Sequence, residues 1–147
     1  MVWSTKGRHK ILKKRVRISL SDFLSEYSLS KGIYMKANYV NSDHVHILID
    51  LPSNMTIESI AKTLKGGSSY WLNRNRLTKN KFSWARGYGA FSVSQSNLDK
   101  VIRYIADQET HHKKRSFTEE YEAFLKLYQS KKNRYIGFII FHRIPNP

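Results

Sequence analysis

Cysteine is absent from this chain of 147 residues, which excludes both a disulfide framework and a thiolate metal site. Acidic side chains are scarce: 11 Asp and Glu stand against 26 Lys and Arg, for a formal net charge of +15. Such an imbalance points to a polyanionic partner, nucleic acid ahead of a membrane surface. No apolar run approaches the roughly 20 residues that a membrane helix needs, and Met1-Val2-Trp3 leading into basic residues lacks the pattern of a signal peptide. A cytoplasmic protein with no membrane attachment is the expectation. Internal repeats and low-complexity segments are also missing. A hydrophobic content of 40% with 13% aromatic residues supports a folded core. The length suits one domain over about residues 1–130, followed by a basic and apolar tail at 131–147.

The stretch around which the chain is organised is Asn41-Ser42-Asp43-His44-Val45-His46-Ile47-Leu48-Ile49-Asp50. Turn residues run straight into an alternating strand. Val45, Ile47, Ile49 and Leu51 share one face; His44, His46, Leu48 and Asp50 share the other. Two imidazoles thus stand side by side on a strand anchored by its apolar face, a rigid place to hold a metal ion. A His pair on an open sheet face is also an ordinary surface feature, so the motif alone leaves both readings open.

Elsewhere the pattern predicts a short first strand over Met1–Lys6 that begins abruptly. A basic stretch follows, with Lys6, Arg8, Lys10, Lys13, Lys14, Arg15 and Arg17, which reads as phosphate contact or as a solvated face. Leu20, Phe23, Leu24 and Tyr27 mark a helix over Ser19–Lys31 that Gly32 ends. Residues 33–40 alternate as a strand, and Asn41-Ser42-Asp43 joins it to the His44 strand as a hairpin. Pro52 closes that strand. A second helix runs from Thr56 to about Arg76, where Gly66-Gly67 implies a bend or a close backbone approach. Arg74, Arg76, Lys79, Lys81 and Arg86 interleave with Phe82 and Trp84, a mix that suits single-stranded nucleic acid and equally suits a solvated loop with two core anchors. Tyr88–Ser94 reads as a fourth strand. Ser96 with Asp99 resembles a capping box for a helix from Asn97 to Lys113, on which Tyr104, Gln108 and His111 share a flank. A further helix spans Thr118 to about Tyr128. The order strand, helix, strand, strand, helix, strand, helix predicts an α+β, ferredoxin-like or RRM-like antiparallel sheet with the His44 strand central.

The residues Asp43-His44-Val45-His46-Ile47-Leu48, Leu64-Lys65-Gly66, Gly87-Tyr88-Gly89-Ala90-Phe91, Tyr104-Ile105-Ala106-Asp107-Gln108 and His111-His112-Lys113-Lys114 together resemble the single-tyrosine transposases of bacterial insertion sequences. These are His-hydrophobic-His nucleases, with REP-associated tyrosine transposases as relatives, and the resemblance extends from residue 2 to about 128. It implies Tyr104 as the nucleophile on single-stranded DNA, forming a 5′-phosphotyrosine link and freeing a 3′-hydroxyl. It implies a divalent metal, magnesium or manganese, on His44, His46 and Gln108. Hairpins at element ends would be the substrate, and a homodimer would combine the His pair of one subunit with the tyrosine helix of the other. Lys6, Arg8, Lys10, Lys65, Arg74, Trp84, Arg86, Arg103, His111 and Lys113 are the candidate nucleic-acid contacts.

The chemistry agrees with that assignment. A phenol, with pKa about 10, is a weak nucleophile at neutral pH and needs a nearby cation. Exchanging one phosphoester for another requires no ATP, and no Gly-rich phosphate loop is present. Three departures from the family pattern stand out: the first strand is unusually short, Ser92-Val93-Ser94-Gln95-Ser96 has no glycine before the tyrosine helix, and the stretch after Gln129 does not match. A non-catalytic single-stranded nucleic-acid binding module of the same fold, or a degenerate copy, is the alternative.

Overall fold

The structure, a computed structural model, describes residues 1–108 and Glu119. The expected helix over Thr118–Tyr128, the 131–147 tail, His111 and Lys113 lie outside the described residues, apart from Glu119, which is helical. Strand β1 (Val2–Ser4) is followed by helix α1 (Lys14–Ser30), strands β2 (Met35–Val40) and β3 (His44–Ile49), helix α2 (Ile57–Arg74) and helix α3 (Leu98–Ala106). The sheet is antiparallel with order β1-β3-β2 among the described residues, so the His44 strand is central as expected.

Helix α1 begins five residues earlier than its apolar stripe suggested, at Lys14 rather than Ser19. The basic stretch itself supplies the first turn, because Lys and Arg are good helix formers and Val16 packs against the core one turn before Leu20. Gly32, at φ 73°, takes the left-handed conformation that ends the helix. Helix α2 opens on a reciprocal capping box between Thr56 and Ser59. No such box opens α3: Asn97 caps it without a side-chain bond, and the serine side chains instead bond one another and Asn97 in the preceding 3-10 turn, Gln95–Asn97.

Val45 and Ile47 bury one sheet face under α1 and α2, joining Trp3, Leu20, Leu24, Ile60, Leu64 and Phe82 in a single core. Ser21 and Ser25 on α1 bond Asn38 of β2 at 2.6 and 2.8 Å and fix the helix over the sheet. The opposite face, which carries His44 and His46, is covered by α3. It is buried rather than open.

The expected fourth strand, Tyr88–Ser94, does not form. The chain here meets β1 at isolated points: Val2 and Gly89 exchange both backbone bonds at 2.9 and 2.7 Å, and Ala85, before the expected strand, donates to the Ser4 carbonyl at 2.8 Å. Between them the carbonyls of Ala85, Arg86 and Gly87 accept instead from Lys65 Nζ at 2.8, 3.0 and 2.9 Å.

The two glycines of α2 differ in what surrounds them. A Cβ on Gly67 would overlap the Tyr27 ring, which cannot swing away because it stacks on Phe23, itself stacked on Trp71. A Cβ on Gly66 would meet nothing within 4 Å. Gly67→Ala should therefore destabilise the fold by about 1–3 kcal/mol through overpacking. Gly66→Ala should stabilise it by about 0.5–1 kcal/mol through helix propensity. Chemical denaturation of both variants checks the opposite signs; equal shifts would contradict the close approach at Gly67.

Candidate functional site

The hairpin turn sets the first functional side chain. Asn41 Oδ1 accepts the Ser42 N–H at 2.8 Å, and the Asn41 N–H donates to the His44 carbonyl at 2.8 Å. Thr5 at the end of β1 donates its N–H to the Asp43 carbonyl at 2.7 Å. Ser4 pairs with His44, while Val2 and Tyr39 pair with His46 from either side. Both imidazoles are thus held by a central strand hydrogen-bonded on both edges. Their ring centroids lie 5.0 Å apart at 83°, and His44 is only 1% exposed.

Asp43 reaches the inner histidine. Its Oδ1 lies 2.6 Å from His44 Nδ1, so Nε2 is the His44 nitrogen that can meet a ligand. Burial pushes the Asp43 carboxyl up, but the hydrogen bond and charge of His44, then the charge of Lys10 and the residue's own backbone, hold it below the ordinary value. Sequence pattern assigned Asp43 to turn chemistry alone. The signal lay in its position next to the first histidine, at the strand entry where alternation does not yet separate neighbouring side chains.

Helix α3 brings the tyrosine. The Tyr104 ring stands 6.4 Å from His46 of the same chain, edge to face at 87°. One helical turn on, Gln108 is 0% exposed, and neither its Oε1 nor its Nε2 has a hydrogen-bond partner among the described residues. Leaving both amide atoms of a buried glutamine unpaired costs about 1–3 kcal/mol per group, so its oxygen is suited to a ligand. No group of three or more His, Cys, Asp or Glu is placed to hold a metal among the described residues. A metal here would draw on two imidazoles and an amide.

The basic candidates separate into groups. Lys6 and Lys10 are exposed and Arg8 is half-buried, on a loop tied to the hairpin turn through Thr5 and through the Leu12 N–H to the Ser42 carbonyl at 3.0 Å. That loop borders the His44 end of β3. Arg103 is exposed on α3 next to Tyr104. Arg86 is exposed on the 85–87 loop. Arg74 lies on α2, across the sheet from the histidines, and donates to Tyr70 Oη at 3.0 Å.

Two candidates are committed to the fold. The three bonds from Lys65 to loop carbonyls use every proton of its ammonium, leaving none for a phosphate, and burial lowers its pKa. Trp84 is buried, donates Nε1 to Ser68 Oγ at 2.9 Å, and packs edge to face on Trp3 and Phe82. It is a core anchor, not a surface for stacking bases.

A family model described as "Transposase IS200 like" matches residues 1–108, which contain the His pair, Tyr104 and Gln108. The chain belongs to the IS200-like transposase family. Its relatives in that family include the ISDra2 transposase TnpA of Deinococcus radiodurans, 27% identical over 114 residues that cover 74% of this chain and 81% of the relative. The transposase for insertion sequence element IS200 of Salmonella typhimurium is 26% identical over 113 residues, 74% of either chain. A crystal structure of a protein assigned as a transposase, from Deinococcus radiodurans R1, superposes with a TM-score of 0.55 at 27% identity, over 73% of this chain and 86% of that one. The chain is thus an IS200-like transposase of α+β fold, an enzyme of DNA transposition. No helix among the described residues is long and apolar enough to cross a membrane.

Proposed function

We propose that this IS200-like transposase cuts and rejoins single-stranded DNA by transesterification at Tyr104, with His44, His46 and Gln108 holding a divalent cation, magnesium or manganese. Hairpins at the ends of an insertion sequence are the substrate of this reading, and a second copy of the chain is its partner. The observations that carry it are the Tyr104 ring 6.4 Å from His46 and, four residues further on, a fully buried Gln108 whose amide atoms have no hydrogen-bond partner among the described residues.

In the cutting step, Tyr104 Oη forms a bond to phosphorus as the bond from phosphorus to the 3′-oxygen of the upstream nucleotide breaks. The phenolic proton passes to solvent, and the departing 3′-oxygen takes one up. The downstream strand stays attached to Tyr104 through its 5′-phosphate. Rejoining reverses the exchange with another 3′-hydroxyl and restores the phenol. A bound cation supplies positive charge where charge builds on the phosphate oxygens. The edge-to-face contact with His46 holds the tyrosine ring in place. The loop carrying Lys6, Arg8 and Lys10 and the exposed Arg103 provide cationic groups around the site for the DNA backbone.

The test is the polarity of the covalent product. Single-stranded DNA from the flanks of the chain's own gene should transfer a 3′-end label to the protein band on a denaturing gel. A 5′-end label should stay on free DNA, and EDTA should abolish both products. Cleavage into two free fragments with no protein-linked label would contradict transesterification. The basic loop has its own signature. Lys6→Ala with Lys10→Ala should reduce the slope of log affinity against log salt by about 1.4, because each phosphate that a cationic side chain neutralises on a single strand contributes about 0.7. An unchanged slope would remove that loop from the DNA path.

A further inference from the structure

We propose that Asp43 is a positioning residue that fixes the tautomer and orientation of His44, so that its Nε2 faces the metal; this rests on the metal reading of the site given above. Asp43 Oδ1 and His44 Nδ1 are 2.6 Å apart, and the Asp43 side chain is 12% exposed beside a His44 side chain at 1%. An ionised carboxylate only accepts hydrogen bonds. In this assignment Nδ1–H donates to Asp43 Oδ1 across the 2.6 Å contact, and the imidazole presents its lone pair at Nε2.

The carboxylate is itself held by the sheet and not by a loose turn. The Asp43 carbonyl takes the N–H of Thr5, a residue that is completely buried and whose Oγ1 donates to the His9 carbonyl at 2.8 Å. Ser4 and His44 are paired across β1 and β3. A shift of Asp43 would thus have to disturb the pairing that holds the histidine. Within a strand, adjacent side chains point to opposite faces; Asp43 can touch its neighbour because it precedes the first strand residue, His44.

The tautomer can be read without metal, by long-range proton–nitrogen NMR of the histidine rings in the whole chain. Metal affinity can be read separately by manganese titration followed by electron paramagnetic resonance. The parent should show Nδ1–H on His44. In Asp43→Ala, His44 should move toward the Nε2–H form that free imidazole side chains favour, and manganese affinity should fall about 10–100-fold, the range for removal of a partner behind a metal-bound histidine. Asp43→Asn, whose amide oxygen can still accept from Nδ1–H, should keep the parent tautomer and recover part of the affinity. An unchanged tautomer together with manganese affinity within about twofold of the parent in Asp43→Ala would overturn the proposal. Should Asp43→Ala not fold, the parent decides, since Nε2–H on His44 there would overturn it directly. A parent with Nδ1–H that binds no manganese would support the Asp43–His44 contact and overturn the metal reading instead.

Discussion

Replacing Tyr104 with phenylalanine should remove the covalent protein–DNA product, a loss of at least about 10³-fold, the scale expected when a nucleophile that acts with its neighbours is deleted. The substitution removes one oxygen and leaves the ring. The edge-to-face packing on His46 at 6.4 Å should therefore persist, with stability changed by less than about 1 kcal/mol and single-stranded DNA affinity by less than about twofold. Among the described residues, other tyrosines do not fit the role as well. Tyr88 is buried, and burial followed by the charge of Glu58 raises its pKa, which makes its phenolate harder to form. Tyr70 is exposed on the far side of the sheet and bonded to Arg74. Tyr39 is the nearest competitor among the described residues, since it pairs directly with His46, but its backbone is locked in β2. An adduct of undiminished yield in Tyr104→Phe would refute the assignment, and a denaturing gel suffices to see it.

His46→Ala should reduce metal-dependent cleavage by at least about 10³-fold, since a cation that neutralises phosphate charge is worth several kcal/mol to the transition state. It should also weaken manganese binding in the absence of DNA. His46 is the better probe of the pair because His44 is nearly inaccessible and bonded to Asp43, so its removal would mix the effect on ligation with an effect on packing. The variant should still bind single-stranded DNA with the parent salt dependence, because the basic loop after β1 is untouched. Parent-level cleavage by His46→Ala, measured with thermal unfolding as a control for folding, would contradict the assignment.

Much of this arrangement was legible in the sequence. Period-two alternation gave the central His strand, turn residues gave its hairpin, and the four-residue spacing of Tyr104 and Gln108 placed them one above the other on a helix. Other features depend on long-range contacts that local pattern does not carry. Lys65 looked like a phosphate contact, and Trp84 was open between a stacking platform and a core anchor, because residue type does not disclose where a side chain spends its hydrogen bonds. Lys65 spends its bonds on the 85–87 loop, Trp84 on Ser68. The His motif alone left an open surface pair and a covered site both possible, and the packing of α3 on that face decides between them. Asp43 was missed as a partner of His44 because turn chemistry accounted for it fully at the level of sequence.

The most direct measurement is to identify the residue that carries DNA. The chain would be incubated with manganese and single-stranded DNA from the flanks of its own gene, digested with protease and nuclease, and the nucleotide-bearing peptide sequenced by mass spectrometry. The modified residue should be Tyr104, with modification abolished when EDTA replaces manganese. Modification of Tyr39 or any other residue, or an adduct indifferent to metal, would contradict a site built from the His pair, Gln108 and the tyrosine of α3.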